Sequence, residues 1–294
     1  MHSQVLIPFA ALLLLCGTSC PQAKPASPSA KAPTAASSSQ AGNAATEVRL
    51  PASAPAPVGA ETAWLTTSDD YHVAAWFWPS RSRPANGKAP ALILLHQRAK
   101  DKSSWGGLAD ELTAEGYSVM AIDLRGHGET VDPQGRPIPL DSLRDADYAA
   151  MLKDVAAAHT FLTQRSGVDA DRVGIIGASI GANLGLLYAA DDRRIRTVVA
   201  LSPGLNYRGL QPLVAMSGLD KRPLFLIASK GDKPSADACA ALQQAAVKEA
   251  PVSVRLFDGT AHGTDLLAAN AGLDQTIISG WLLNYLPPAA PPVT

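Results

Sequence analysis

Three side chains in this sequence have the types and order of a nucleophilic relay. Ser179 is the centre of Gly177-Ala178-Ser179-Ile180-Gly181, between an apolar run (172–176) and a helix-like run (182–190). A serine hydroxyl is a poor nucleophile at neutral pH. It needs a base within hydrogen-bond reach, usually histidine, and the base needs an acceptor that fixes its tautomer. A tight strand-to-helix turn lifts the hydroxyl above the sheet edge, and glycines two positions before and after remove obstructing side chains. Asp232, in Lys230-Gly231-Asp232-Lys233-Pro234, follows an apolar run at 223–228. His262, in Ala261-His262-Gly263, follows another at 252–257 and precedes a helix-like segment. The chain order Ser179, Asp232, His262 is that of a relay built on a serine turn. Asp258 and Asp265 are rival acids, but each sits in sequence close to the base. Asp is also a favoured helix cap, so strand-end position and chain order decide for Asp232.

The elements that must position these residues begin near residue 61. Runs at 62–67 and 72–78 flank Ser68-Asp69-Asp70 and read as a hairpin. Residues 91–95 are continuously apolar, as in a strand buried on both faces. Further strands are expected at 117–123, 172–176, 195–201, 223–228 and 252–257, and helices at 105–115, 141–164, 236–248 and 265–286. This alternation predicts a mostly parallel sheet of about eight strands with helices on both faces. Ligands of such sheets bind beyond the carboxyl ends of the strands, where all three candidates fall. Cys239, alone in this region, reads as a small core residue. His72 and His159 fall in a strand and a long helix, with surface or core roles as the default. Tyr207 and Arg208 follow the strand ending at Leu201 and are candidates either for the pocket wall or for a solvent-facing loop. The sequence has no internal repeat and no metal-spaced His/Cys cluster.

Residues 61–288 resemble the α/β-hydrolase superfamily, within its dienelactone-hydrolase-like and esterase-like members. The resemblance rests on the serine turn, on Gly231-Asp232, on Ala261-His262-Gly263 and on Asp123-Leu124-Arg125-Gly126-His127-Gly128, which is similar to the D-x-R-G-x-G turn of many members. It implies that Ser179 is the nucleophile, Asp232 the acid and His262 the base. It also implies an oxyanion hole with one donor from the Ile180 N–H and a second from the loop after Leu95. Many members have His-Gly in that loop; this chain has His96-Gln97-Arg98. The Arg98 N–H is the expected second donor, with Gln97 as the alternative and its side chain a candidate for the pocket mouth. His96 is expected to hydrogen-bond backbone around this loop, and His127 to tie its own turn together. The short connection 201–223 leaves room for one or two short helices near 208–218, so the cap is minimal and the site open. The implied activity is hydrolysis of a small carboxylic ester or lactone through an acyl-enzyme, with no metal and no cofactor. A serine peptidase or amidase, and a non-catalytic binding protein tethered to the envelope, are the alternatives.

The chain has 294 residues, 47% hydrophobic and 17% charged, with a formal net charge of -1. Nothing in that balance favours nucleic acid or a strongly charged substrate. Residues 5–15 are apolar but too few to span a bilayer. Residues 1–20 match the apolar core of an export signal followed by small residues. Gly17-Thr18-Ser19-Cys20 resembles a bacterial lipoprotein cleavage site, with lipid on Cys20. This implies an exported envelope protein that meets the membrane only through that anchor; a secretory signal cut nearby and an uncleaved membrane-tethered segment are the alternatives. Residues 21–60, rich in Ala, Pro and Ser, are expected to be a disordered linker, with residues 47–50 its one patch able to order. Residues 289–294 form a tail, and the sequence leaves the oligomeric state open.

Overall fold

Ala89–Leu95 (β3) is the strand around which the sheet is organised, and all seven of its residues are buried. Side chains alternate across a strand. Ala91, Ile93 and Leu95 accordingly enter one core, and Leu92 and Leu94 enter the other. A strand that must bury both faces reads as an uninterrupted apolar run, which is why it was conspicuous in the sequence. The computed structural model describes residue 48, residues 50–82, residue 84 and residues 87–288. The expected export segment with Cys20, most of the linker and the tail from 289 lie outside the described residues.

The other strands are Glu61–Thr66 (β1), His72–Trp78 (β2), Ser118–Ile122 (β4), Val168–Ala178 (β5), Ile195–Leu201 (β6), Leu224–Ser229 (β7) and Val252–Phe257 (β8). The eight-stranded sheet has the order β1-β2-β4-β3-β5-β6-β7-β8. β1 and β2 pair antiparallel, and β2 runs antiparallel to β4. From β4 through β3 to β8 every pairing is parallel. The helices are Gly106–Ala114 (α1), Asp145–Gln164 (α2), Ile180–Asp191 (α3), Lys233–Ala245 (α4), Asp265–Ala269 (α5) and Ser279–Tyr285 (α6). Side chains of α2, α3 and α4 fill one core, including Met151, Leu184 and Leu242. Those of α1, α5 and α6 fill the other, including Leu112, Leu266 and Leu282. Cys239 lies in the first core, and burial pushes its thiol up to about 12.

Four expectations about the elements need correction. The long helix starts at Asp145 rather than 141, because Leu143 and Arg144 are extended and the Asp147 carboxylate takes the Arg144 N–H at 2.8 Å. The strand leading to the serine turn begins at Val168, four residues earlier than expected. The last helix is broken: α5 ends where Asn270 turns extended and its side-chain amide bonds the Leu266 carbonyl at 2.9 Å. A π-helical stretch, Leu273–Ile278, then leads into α6. Finally, the end of the expected linker is packed. Ala56 and Ala60 touch the second core, and the Ala54 N–H bonds the Glu129 carboxylate. Proline-rich chain is already extended, so ordering it costs little entropy.

Candidate active site

β5 ends at Ala178 and α3 starts at Ile180, so Ser179 alone makes the turn, with φ 53° and ψ -113°. Its N–H donates to the Leu201 carbonyl of β6 at 2.8 Å, which anchors the turn to the neighbouring strand. The flanking glycines are needed because backbone passes too close for a side chain. A Cβ on Gly177 would lie 2.2 Å from the Gly181 carbonyl oxygen, and one on Gly181 would lie 2.1 Å from the Leu95 carbonyl oxygen. The helix start is thereby pressed against the end of β3 and the loop that follows it.

His262 and Asp232 come to this turn from the ends of β8 and β7. His262 Nε2 is 2.8 Å from Ser179 Oγ, and His262 Nδ1 is 2.7 Å from Asp232 Oδ2. A carboxylate only accepts, so Nδ1 carries the proton and Nε2 is left to accept from the serine hydroxyl. Asp232 sits at the N-cap of α4, where the helix dipole favours negative charge. Its side chain is 13% exposed and that of His262 is 42% exposed, so the carboxylate is screened while the imidazole faces the cavity. Burial raises the Asp232 carboxyl, but hydrogen bonding with His262, Ser235 and Ser202 outweighs this and holds it below the usual carboxylate range. The rival acids point elsewhere: Asp258 pairs with Lys230 at 2.7 Å, and Asp265 lies 3.7 Å from Lys100.

The loop after β3 lies against the start of α3. The Ile180 N–H belongs to the first residue of that helix, where backbone donors have no partner within the helix. Among the described residues, the N–H groups of Gln97 and Arg98 have no backbone acceptor either. The Arg98 side chain leaves the site, reaching Tyr148 Oη at 3.4 Å and Asp141 at 3.1 Å. Gln97 departs from expectation. Its side chain is buried rather than placed at the mouth, and Oε1 accepts from the Thr264 N–H at 2.6 Å and the Thr264 hydroxyl at 2.9 Å. His96 uses both ring nitrogens on backbone, donating from Nδ1 to the Gln97 carbonyl (2.8 Å) and accepting the Leu124 N–H at Nε2 (3.0 Å). Burial, with the His127 ring 4.8 Å away, pushes His96 down to about 3. His127 contacts the Arg125 carbonyl in its own turn at 3.2 Å. His159 is a core residue bonded to Tyr188 Oη at 2.9 Å.

A cavity of about 670 Å³ opens over Ser179 and His262, walled by Leu205, Tyr207 and Pro234. Arg208 turns outward to Asp145 at 3.5 Å. The cap is the connection between β6 and β7, whose residues 204–207 wall the cavity and whose single helix is the 3-10 helix Pro212–Leu219. Two residues of this site escape a reading of local pattern. Asn183, one turn into α3, donates from Nδ2 to the Leu210 carbonyl (3.1 Å) and accepts the Gly204 N–H at Oδ1 (2.9 Å), clamping the cap loop from below. The only local sign was an amide within the otherwise apolar first two turns of the helix. Ser202, at the end of β6 with φ 50°, accepts the Gly263 N–H at 3.0 Å and stands beside Asp232. No neighbouring residue marks it out.

A family model described as the alpha/beta hydrolase fold matches residues 90–229, a span that holds the serine turn and stops short of Asp232 and His262. YfhR of Escherichia coli K12, an uncharacterised protein, is 30% identical over 155 residues, covering 52% of this chain and 50% of that protein. The thiohydrolase aneE of Aspergillus aculeatus is 30% identical over 122 residues, covering 40% and 35%. An esterase of Pyrococcus furiosus superposes with a TM-score of 0.64 at 18% identity, over 81% of this chain and 97% of that one. At that identity the likeness shows the fold. The sheet order, the serine turn and these matches show that the chain has the α/β-hydrolase fold. It spans about half the length of the curated relative YfhR.

Proposed function

We propose that the chain is a serine hydrolase that cleaves a small carboxylic ester or lactone through an acyl-enzyme. The observation that carries this reading is the continuous relay Ser179 Oγ, His262 Nε2, His262 Nδ1, Asp232 Oδ2, with gaps of 2.8 and 2.7 Å. Ser179 Oγ attacks the ester carbonyl carbon while its proton passes to His262 Nε2. The tetrahedral oxyanion is received by the Ile180 N–H and by a donor of the loop after β3, Arg98 or Gln97. The intermediate collapses, the C–O bond to the alcohol breaks, and His262 gives its proton to the departing alkoxide. Water then attacks the acyl-enzyme with His262 as base, releasing the acid and restoring Ser179. Asp232 keeps the imidazole in one tautomer and stabilises the imidazolium. Side chains and backbone supply every step.

The minimal cap and the open cavity support a small or exposed acyl group over a long buried chain. The test is turnover of nitrophenyl esters of increasing acyl length, with labelling by a fluorophosphonate. Ser179→Ala is expected to lose about 10⁴–10⁶-fold in kcat and to abolish the label. A Ser179→Ala protein that cleaves nitrophenyl acetate at the wild-type rate would overturn the proposal.

A further inference from the structure

The loop carrying His262 is moored on both sides. Gly263 N–H bonds Ser202 Oγ at the end of β6. Thr264 bonds Gln97 Oε1 just beyond β3, through both its N–H and its hydroxyl. β3 and β6 are the two strands that flank β5, the strand that presents Ser179. The imidazole is therefore referenced to the nucleophile from both neighbouring strands.

The Gln97 mooring is tightly built. Gln97 is 8% exposed and Thr264 7% exposed, so neither has water as a ready substitute partner. Two donors converge on one oxygen. Leaving a buried donor unpaired is costly, which holds the pairing in place. The residue between base and mooring is Gly263, with φ 60°, and a Cβ there would lie 2.0 Å from Gln97 Oε1. The amide thus fills the space against that backbone and leaves room only for glycine.

We infer that Gln97 is a positioning residue whose side chain locks the histidine loop to the oxyanion loop, so that base and oxyanion donors hold one fixed relation to Ser179. Its own backbone belongs to the loop proposed to supply a donor, and its amide oxygen grips the residue two places beyond the base. One residue therefore spans both halves of the apparatus. This inference rests on the serine-hydrolase reading. It adds to that reading a residue whose effect is on the chemical step and not on ground-state binding.

The experiment compares the full chain as wild type, Ser179→Ala, Gln97→Met and Gln97→Glu, on nitrophenyl acetate. Absence of turnover that depends on Ser179 in the wild type would sink the hydrolase reading itself, separately from any role of Gln97. Given such turnover, Gln97→Met keeps the volume and removes the acceptor. It is expected to lower kcat by about 10–100-fold, the size expected for a misplacement near 1 Å, with KM little changed. Gln97→Glu keeps the acceptor oxygens and is expected to recover most of kcat, which simple filling of space would not explain. Circular dichroism at the assay temperature gives the folded fraction of each variant. The inference fails if Gln97→Met turns over at the wild-type kcat, if its loss disappears once rates are divided by the folded fraction, or if Gln97→Glu is as slow as Gln97→Met.

Discussion

His96 has both ring nitrogens committed to backbone, so it cannot take up a proton without breaking the bond it accepts from the Leu124 N–H. Its pKa in the folded chain is about 3, against 6.5 for the free side chain, with burial as the largest cause. His127, whose Nε2 is buried without a partner, is shifted in the same direction, again chiefly by burial. Between those two values the unfolded chain binds a proton that the folded chain refuses. Stability is therefore full above the unfolded value and declines as pH falls toward the folded one. Between its two values His96 contributes a slope of about 1.4 kcal/mol per pH unit. Urea unfolding at pH 7, 6 and 5 should show stability dropping across that range, before most carboxylates titrate. Equal midpoints at pH 6.5 and 5 would contradict the picture of a neutral histidine pair at the loop after β3.

At the scale of elements, the turn after β4 acts as a buttress rather than as a site. Asp123 accepts from the Lys102 N–H at 2.7 Å, the Glu129 N–H at 2.9 Å and Lys102 Nζ at 2.6 Å. Arg125 crosses to α2, where Nη2 meets Asp154 Oδ1 at 2.6 Å, and to the β1–β2 turn, where Nη1 meets Asp69 Oδ2 at 2.9 Å. Leu124 holds His96, so this turn supports the loop proposed to supply an oxyanion donor. The two carboxylates facing Arg125 differ in burial, 0% exposed for Asp154 and 25% for Asp69. That difference decides their weight. Asp154→Ala leaves a guanidinium buried beside an empty place and should cost about 3–5 kcal/mol. Asp69→Ala removes a pair partly reached by water and should cost about 1 kcal/mol or less. Denaturant midpoints of the two variants check the ranking, and equal losses would show that the buried pair carries no special load.

For the whole molecule, the features legible in the sequence were those with a local pattern. The continuous apolar run at β3, the alternation of strands and helices and the serine turn each declare themselves within a few residues. Local signals also placed Asp232 and His262 at strand ends, and the fold brings both to Ser179. What escaped depends on partners far along the chain. The hydroxyl of Thr264 meets an amide 167 positions away, and the hydroxyl of Ser202 meets a backbone group 61 positions away. No window of sequence contains such a pair. The break in the last helix was hidden for a different reason. Its apolar spacing persists past Asn270, while the backbone turns extended at Asn270 and takes a positive φ of 78° at Gly272, which ends the regular turn.

The dihedral angles at Ser179 bear on the idea of a binding protein that merely inherits this scaffold. A non-glycine residue at such a backbone setting costs about 1–3 kcal/mol. Glycine would rest there freely, at the lesser expense of about 0.5–1 kcal/mol through its looser unfolded chain. A lineage released from chemistry would therefore drift toward glycine at this one position, and a serine there opposes that drift. Ser179→Gly should consequently melt above Ser179→Ala, by about 2–4 °C for each kcal/mol relieved. If the two melt together, the hydroxyl sits there at no thermodynamic disadvantage, and its presence says nothing about what selection has kept.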